Sequence, residues 1–317
     1  GQGTARVGVL DPFWNEKGLV TPEAFRKFCD ETVPLARLPK RIWTLSERLD
    51  VPVDIAHFGP TDLPDTSAHW VLRTASGTVR AEGTLGPVSL TTGGLTRIGE
   101  ISLPLASLEA PAALNLEIRL GEAAEPPVND WNLWLYPDAA EAGPTQDELL
   151  IARELDQPTL DALHAGRRVL LLADPRTIAG DTVGRFDPIF WNTMWFPTQP
   201  QHTLGLLLDP DHPAFAAFPT EFHSDWQWRD IHNNAKPMVL DSLPSALTPI
   251  CQVIDDWNTC RKLGLLIEAK VGSGRLLLCS ADLTSNLDTR PEARQLRASL
   301  ERYAAGPAFD PSSEERR

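Results

Sequence analysis

Basic residues are in short supply in this sequence. Lysine and arginine total 29 against 43 aspartates and glutamates, a formal net charge of −14 over 317 residues. Such a balance repels phosphate backbones and anionic lipid, so it argues against nucleic acid or a membrane surface as a partner. No apolar run approaches the roughly 20 residues that a helix needs to cross a bilayer. Cysteine is also scarce. Cys29, Cys251, Cys260 and Cys279 form no C-x-x-C pair, and no histidine lies at a zinc-ligand spacing from them. A disulfide scaffold is excluded, although Cys251 and Cys260 could bridge in an oxidising compartment. The opening GQGTARVGVL lacks the basic start and long apolar stretch of an export signal.

Proline and tryptophan are plentiful. There are 28 prolines, well above the average of about 5%, and proline at that density favours short elements joined by stiff loops. There are 10 tryptophans but only 2 tyrosines.

The length suggests two domains. Residues 1–40 read as an irregular lead-in, with one short helix over Pro22–Cys29 capped by Thr21 and a linker through VPLARLPKR. Over residues 41–140 the apolar period changes to two, as in Val51-Val53-Ile55, Trp70-Leu72 and Leu114-Leu116-Ile118-Leu120, with turn signals between the runs. About seven short strands without a helix predict an Ig-like β-sandwich. Over 141–306 strands alternate with helices. Helices are expected at Asp147–Leu155, Pro158–Ala165 and Pro291–Ala304, and strands at Arg168–Asp174, Met238–Leu240, Gln252–Ile254, Leu263–Val271 and Arg275–Ser280. The last two flank Gly272-Ser273-Gly274 as a hairpin. This predicts an open α/β sheet with an antiparallel edge. Residues 307–317 form a polar tail.

Familiar catalytic signatures are missing. There is no G-x-S-x-G or G-x-C-x-G elbow, and Gly272-Ser273-Gly274 lacks the lysine and length of a phosphate loop. His212 and His223 lie near Asp209, Asp211, Glu221 and Asp225, but the spacings match no ligand set, and no metal or cofactor is implied. The densest feature is FDPIFWNTMWFPTQPQHTLGLLLDPDHPAFAAFPTEFHSDWQW, followed by VIDDWN. Trp191, Trp195, Trp226, Trp228 and Trp257, with Asn192, His223 and Asp225 beside them, would suit a sugar: flat apolar faces edged by amides and acids. The same tryptophans serve equally well as core or interface anchors, which is the plainer reading.

The opening GQGTARVGVLDPFWNEKGLVTPEAFRKFC, with VPLARLPKRIWT and DIAHFGP after it, resembles the C-terminal half of large bacterial glycoside hydrolases of family 2, the β-galactosidase and β-glucuronidase type. The resemblance implies the last strand and loop of a catalytic (β/α)8 barrel, then a β-sandwich closing at Asn129-Asp130-Trp131 and Trp134-x-Tyr136-Pro137. The tryptophan-rich segment and GRLLLCSADL resemble the α/β domain at the far end of these enzymes, similar in fold to class I glutamine amidotransferases. The family's retaining chemistry needs two carboxyls about 5 Å apart. A full barrel takes about 250 residues, and only about the first 20 here resemble part of one. Glu16 follows the strand that resembles the barrel's last, so it reads as a loop carboxylate. The expectation is therefore a non-catalytic segment or subunit that supports a barrel in cis or trans, a substrate cleft or a homo-oligomer, with no catalytic residue of its own and a carbohydrate as the ligand. A free-standing carbohydrate-binding protein is the alternative. A hydrolase using Asp225, Glu221, His223 and Asp255 is a third. The compartment stays open, and the resemblance leans towards a periplasmic or secreted one.

Overall fold

The computed structural model describes residues 8–139, 143–186, 203–256 and 259–311. The chain divides into two compact units. One comprises residues up to Arg41, Ser46–Leu108 and Ala113–Leu133; the other comprises Ile42–Leu45, Glu109–Ala112 and everything from Trp134 onward.

The first unit opens with a hairpin loop and helix α1 (Pro22–Arg26), whose N-cap Thr21 accepts from Ala24 N at 3.2 Å. Its strands are β1 (Thr32–Ala36), β3 (Arg48–His57), β4 (Leu63–Thr74), β5 (Val79–Leu90), β6 (Gly94–Pro104), β7 (Ala112–Leu120) and the first part of β8 (Val128–Tyr136); β2 (Ile42–Thr44) and the end of β8 that pairs with it, from Trp134 to Tyr136, count with the second unit. They form a β-sandwich of two sheets, β1-β3-β6 and β2-β8-β7-β4-β5. Alternation accounts for its core. Leu49, Val51, Val53 and Ile55 of β3 turn inward, as do Leu116 and Ile118 of β7. The expected linker is corrected here: Thr32–Ala36 is a strand, antiparallel to β3 from Thr32↔His57 to Ala36↔Val53. Pro34 is tolerated because β1 pairs on one side only, and its carbonyl accepts from Asn129 Nδ2 at 3.0 Å.

The second unit is an open mixed α/β sheet. Its strands are β9 (Leu150–Ala152), β10 (Arg168–Leu172), β11 (Gly205–Leu208), β12 (Met238–Val239), β13 (Cys251–Ile254), β14 (Leu263–Val271) and β15 (Gly274–Cys279). Their order is β11-β13-β14-β15-β10-β9, with β12 on β14. Among the described residues, β9 and β15 run parallel to β10 between them, and the other pairings are antiparallel. The helices are α2 (Gln157–His164), α3 (Trp228–Asn233) and α4 (Pro291–Ala305).

The expected helix over Asp147–Leu155 does not form. Thr145 and Glu148 cap a single turn, with Glu148 Oε2 accepting from Thr145 N and Oγ1 at 2.9 Å each, and the chain then extends into β9 beside β10. Short apolar runs fit either period, and here the parallel partner decides. The hairpin forms as read: Val271 pairs with Gly274 across Gly272-Ser273, and Gly272 takes φ +60°, which glycine adopts without a steric cost. In α4 the residues Ala293, Leu296, Leu300 and Tyr303 are all buried. Its polar side chains hold the loop after β11 in place. Gln295 Nε2 donates to Ala217 O and Ser299 Oγ to Ala214 O, both at 2.7 Å.

Candidate functional site

Beyond β11 the chain makes a 3-10 turn over Pro213–Phe215 and then returns along the sheet edge, where Leu208 N donates to Phe222 O at 2.8 Å and Leu207 bridges His223. It next makes a tight turn at Asp225, whose Oδ1 accepts from Gln227 N at 3.1 Å and whose carbonyl accepts from Trp228 N at 3.0 Å. That turn sends Trp226 outward and Trp228 inward.

Trp228 is only 2% exposed. It meets Phe215 and Phe218 edge to face at 6.0 and 5.3 Å, and its Nε1 donates to Thr220 Oγ1 at 2.8 Å. Both ring faces and the polar edge are occupied by protein, so Trp228 is an anchor of the core and has no face to offer a sugar. Trp226 differs. It is 51% exposed, with the Phe186 ring 5.5 Å away.

Between the two tryptophans lies a buried polar chain. The Tyr136 hydroxyl donates to Gln227 Oε1 at 2.6 Å, and Gln227 Nε2 donates to Pro219 O at 2.9 Å and to Asp225 Oδ2 at 3.4 Å. Burial pushes the Asp225 carboxyl up to about 7; the bonds from Gln227 and the neighbouring His223 pull the other way, and Glu221 adds to the rise. Burial also raises the Tyr136 phenol, helped by the charges of Asp225 and Glu292. A half-buried carboxyl that exchanges its proton near neutrality, next to an exposed indole, can donate to or accept from a ligand hydroxyl.

The other expected residues disperse. His223 is exposed against the Phe222 ring at 4.7 Å, its Nδ1 lying 3.3 Å from Ser224 O. His212 commits Nδ1 to the Ala214 amide at 3.2 Å. Among the described residues no group of three or more His, Cys, Asp or Glu side chains could hold a metal ion. Asp255 is a structural acid. Burial opposes its charge, yet bonds from Arg261 N (2.8 Å), Nε (2.9 Å) and Nη2 (3.2 Å) hold the carboxyl below the usual range. Cys251 and Cys279 are buried free thiols; burial raises both, Cys279 to about 12, and so disfavours the reactive thiolate. Cys260 is free and exposed. Trp191, Asn192, Trp195 and Trp257 lie outside the described residues. Phe186, Phe218 and Thr220 were not expected to take part. Their only signal was the aromatic density of the segment.

The domain of unknown function DUF8487 matches residues 150–316, more than half of the chain, and the chain belongs to that family. A second family, the domain of unknown function DUF8488, matches residues 47–137. No curated protein matches. Similar solved structures include a CARDB domain from Pyrococcus furiosus, 12% identical, covering 33% of this chain and 94% of that one with a TM-score of 0.27. They also include the β-glucuronidase of Parabacteroides merdae, 10% identical, covering 44% of this chain and 21% of that one with a TM-score of 0.26. A putative β-galactosidase from Bacteroides fragilis is 11% identical, covering 44% and 24% with a TM-score of 0.24. These likenesses are distant, and nothing about this chain's chemistry follows from them.

Proposed function

We propose that the chain is a non-catalytic C-terminal segment or subunit of a family 2-like glycoside hydrolase, supporting a (β/α)8 barrel in cis or trans. The observation that carries this reading is the loop Asp11–Asn15 in the first unit. Asp11 Oδ1 accepts from the amides of Phe13 (2.8 Å) and Asn15 (2.9 Å), and Asp11 N donates to Asn15 O at 2.9 Å. This clasp holds Trp14 at φ +69°, a left-handed conformation that costs an L-residue roughly 1–2 kcal/mol. Phe13 and Trp14 are left 81% and 83% exposed, and Leu19 and Phe28 are exposed as well. Two rigid aromatic side chains held in water are preformed anchors, since such residues dominate interface energetics when they enter a pocket. The sequence around them, LDPFWNEKG, is the stretch that resembles the loop after a barrel's last strand, so the barrel is the natural surface to receive them.

The test is association. The full chain, mixed with a family 2 catalytic barrel from the same genome, forms a one-to-one complex by light scattering, and the Phe13→Ser/Trp14→Ser double variant does not. Equal association by both would remove the reading.

The exposed indole of Trp226, next in sequence to Asp225, favours a second reading, a carbohydrate-binding surface. Tryptophan fluorescence that shifts with galactosides, and stops shifting in Trp226→Ala, would support it. Silence across a broad glycan panel would remove it.

A further inference from the structure

One long strand at the side of the sandwich has its outer edge open. β5 (Val79–Leu90) ends the order β2-β8-β7-β4-β5, and among the described residues it forms strand pairs with β4 alone. Backbone groups along an extended chain point alternately to either side. Ser67 O accepts from Gly121 N at 2.9 Å and Ala75 N donates to Ala113 O at 3.2 Å, so the odd-numbered residues of β4 bond towards β7. Thr74 N donates to Thr78 O at 2.9 Å, so the even-numbered ones bond towards β5. Ala68, Trp70 and Leu72 stand opposite Leu85, Gly83 and Ala81, which are thus the β5 residues bonded inward. Glu82 and Thr84, between them, turn N–H and C=O away from the sheet. Such groups are a template for a further strand.

Other edges in the chain are guarded against that. β2 and β9 are three residues long. β1 carries Pro34, and β11 is covered where Leu208 N meets Phe222 O. β6 is bent by a bulge at Ile98, where the register passes from Val53↔Gly99 to Asp54↔Arg97. By contrast, residues 81–85 pair with residues 68–72 without a break and hold neither proline nor lysine. Ala81, Gly83 and Leu85 are only half-buried beside the sealed Leu72, Trp70 and Ala68, leaving an apolar strip for a neighbour to cover.

The charges on the edge choose the neighbour. Arg80 and Glu82 are exposed, two residues apart, with Ala81 between them. Glu82 Oε2 lies 3.6 Å from His69 Nε2, and the glutamate side chain stays 61% exposed, so it can still meet another cation. We propose that β5 pairs antiparallel with β5 of a second copy, about a two-fold axis at Ala81. Outward-facing residues must meet outward-facing ones, so the axis falls on a residue, and charge decides which. At Glu82 the axis would set that carboxylate against itself, and at Gly83 it would give Glu82 only Thr84. At Ala81 it sets Arg80 of each copy opposite Glu82 of the other, two opposite-charge pairs in one isologous contact. A generic acidic or basic peptide lacks this match, because the edge carries both signs in fixed order. The pairing is separate from docking on a barrel and leaves its one-to-one ratio unchanged.

Sedimentation velocity on the full chain across the micromolar range reads the assembly. The expected result is a reversible dimer, weakened about tenfold or more by Arg80→Glu and by Glu82→Arg alone. The double variant Arg80→Glu/Glu82→Arg restores the pairs with their signs exchanged and should dimerise as wild type does. Both side chains are exposed, so all three variants keep the melting temperature of the dilute wild-type chain. Amide exchange at Glu82 slows as the wild-type chain is concentrated, because its N–H gains an acceptor. A monomer at every concentration would overturn the proposal. So would a dimer that the single reversals leave intact, one that the double variant fails to restore, or one that Phe13→Ser/Trp14→Ser abolishes.

Discussion

The Tyr136 hydroxyl donates to Gln227 Oε1 at 2.6 Å, with both side chains sealed from solvent. Through the same amide, one buried glutamine also ties Pro219 and Asp225, joining the two ends of the turn that presents Trp226. Tyr136→Phe strands the Gln227 oxygen and should cost about 1–3 kcal/mol. Gln227→Leu strands the phenol and the Pro219 carbonyl together and should cost more. Urea midpoints check both. An unchanged midpoint for Tyr136→Phe would mean that the bond contributes nothing to stability.

Two groups of the second unit, the half-buried Asp225 and the buried His232, give opposite pH slopes. Asp225 titrates near 7 when folded against 3.8 ordinarily, so between those values the folded state keeps a proton that the unfolded chain releases, and rising pH costs stability. His232 is pushed down by burial to about 4 from 6.5, so the unfolded chain takes up a proton that the folded one refuses, and falling pH costs stability from about 6.5 to 4. The unfolding free energy of Asp225→Asn minus that of wild type should therefore rise with pH across the window. The same difference for His232→Gln should fall. Flat differences in urea titrations would contradict the assignment.

The neighbouring tryptophans should separate cleanly. Trp228→Ala empties a sealed aromatic pocket and frees Thr220, at a cost of about 3–5 kcal/mol. Trp226→Ala trims a half-exposed ring and should cost under about 1 kcal/mol. Thermal unfolding decides, and equal losses would mean that the two rings share one environment.

These contrasts mark where sequence reading stops. Periodicity alone placed α4, because Ala293, Leu296, Leu300 and Tyr303 repeat at helical spacing and all become buried. The turn at Gly272-Ser273 was equally legible, since its chemistry is local. Leu150–Ala152 was not legible: its pairing with Val169–Leu171 lies far along the chain, while the local Thr145–Glu148 pair points to a helix. Pro34 likewise suggested a linker until β3 supplied a partner on one side. At the site, Trp226 and Trp228 have the same composition around them, and only the Asp225 turn distinguishes the inner ring from the outer.

Trp14 offers a test of the loop apart from any partner. Trp14→Gly removes a left-handed strain of roughly 1–2 kcal/mol, offset in part by the greater freedom of glycine in the unfolded chain. The isolated variant should melt no lower than wild type and should lose association with the barrel. A large drop in melting temperature would show that the indole serves the fold of its own unit.

Covalent trapping reads directly the proposed role of this chain, to assist sugar cleavage without performing it. A fluorinated glycoside that arrests the glycosyl-enzyme intermediate of retaining enzymes is incubated with the purified 317-residue chain and with its assembly with a barrel. Mass spectrometry should find the adduct on a barrel glutamate of the assembly and none on the chain alone. An adduct on any carboxylate of the isolated chain, Asp225 included, would contradict the account.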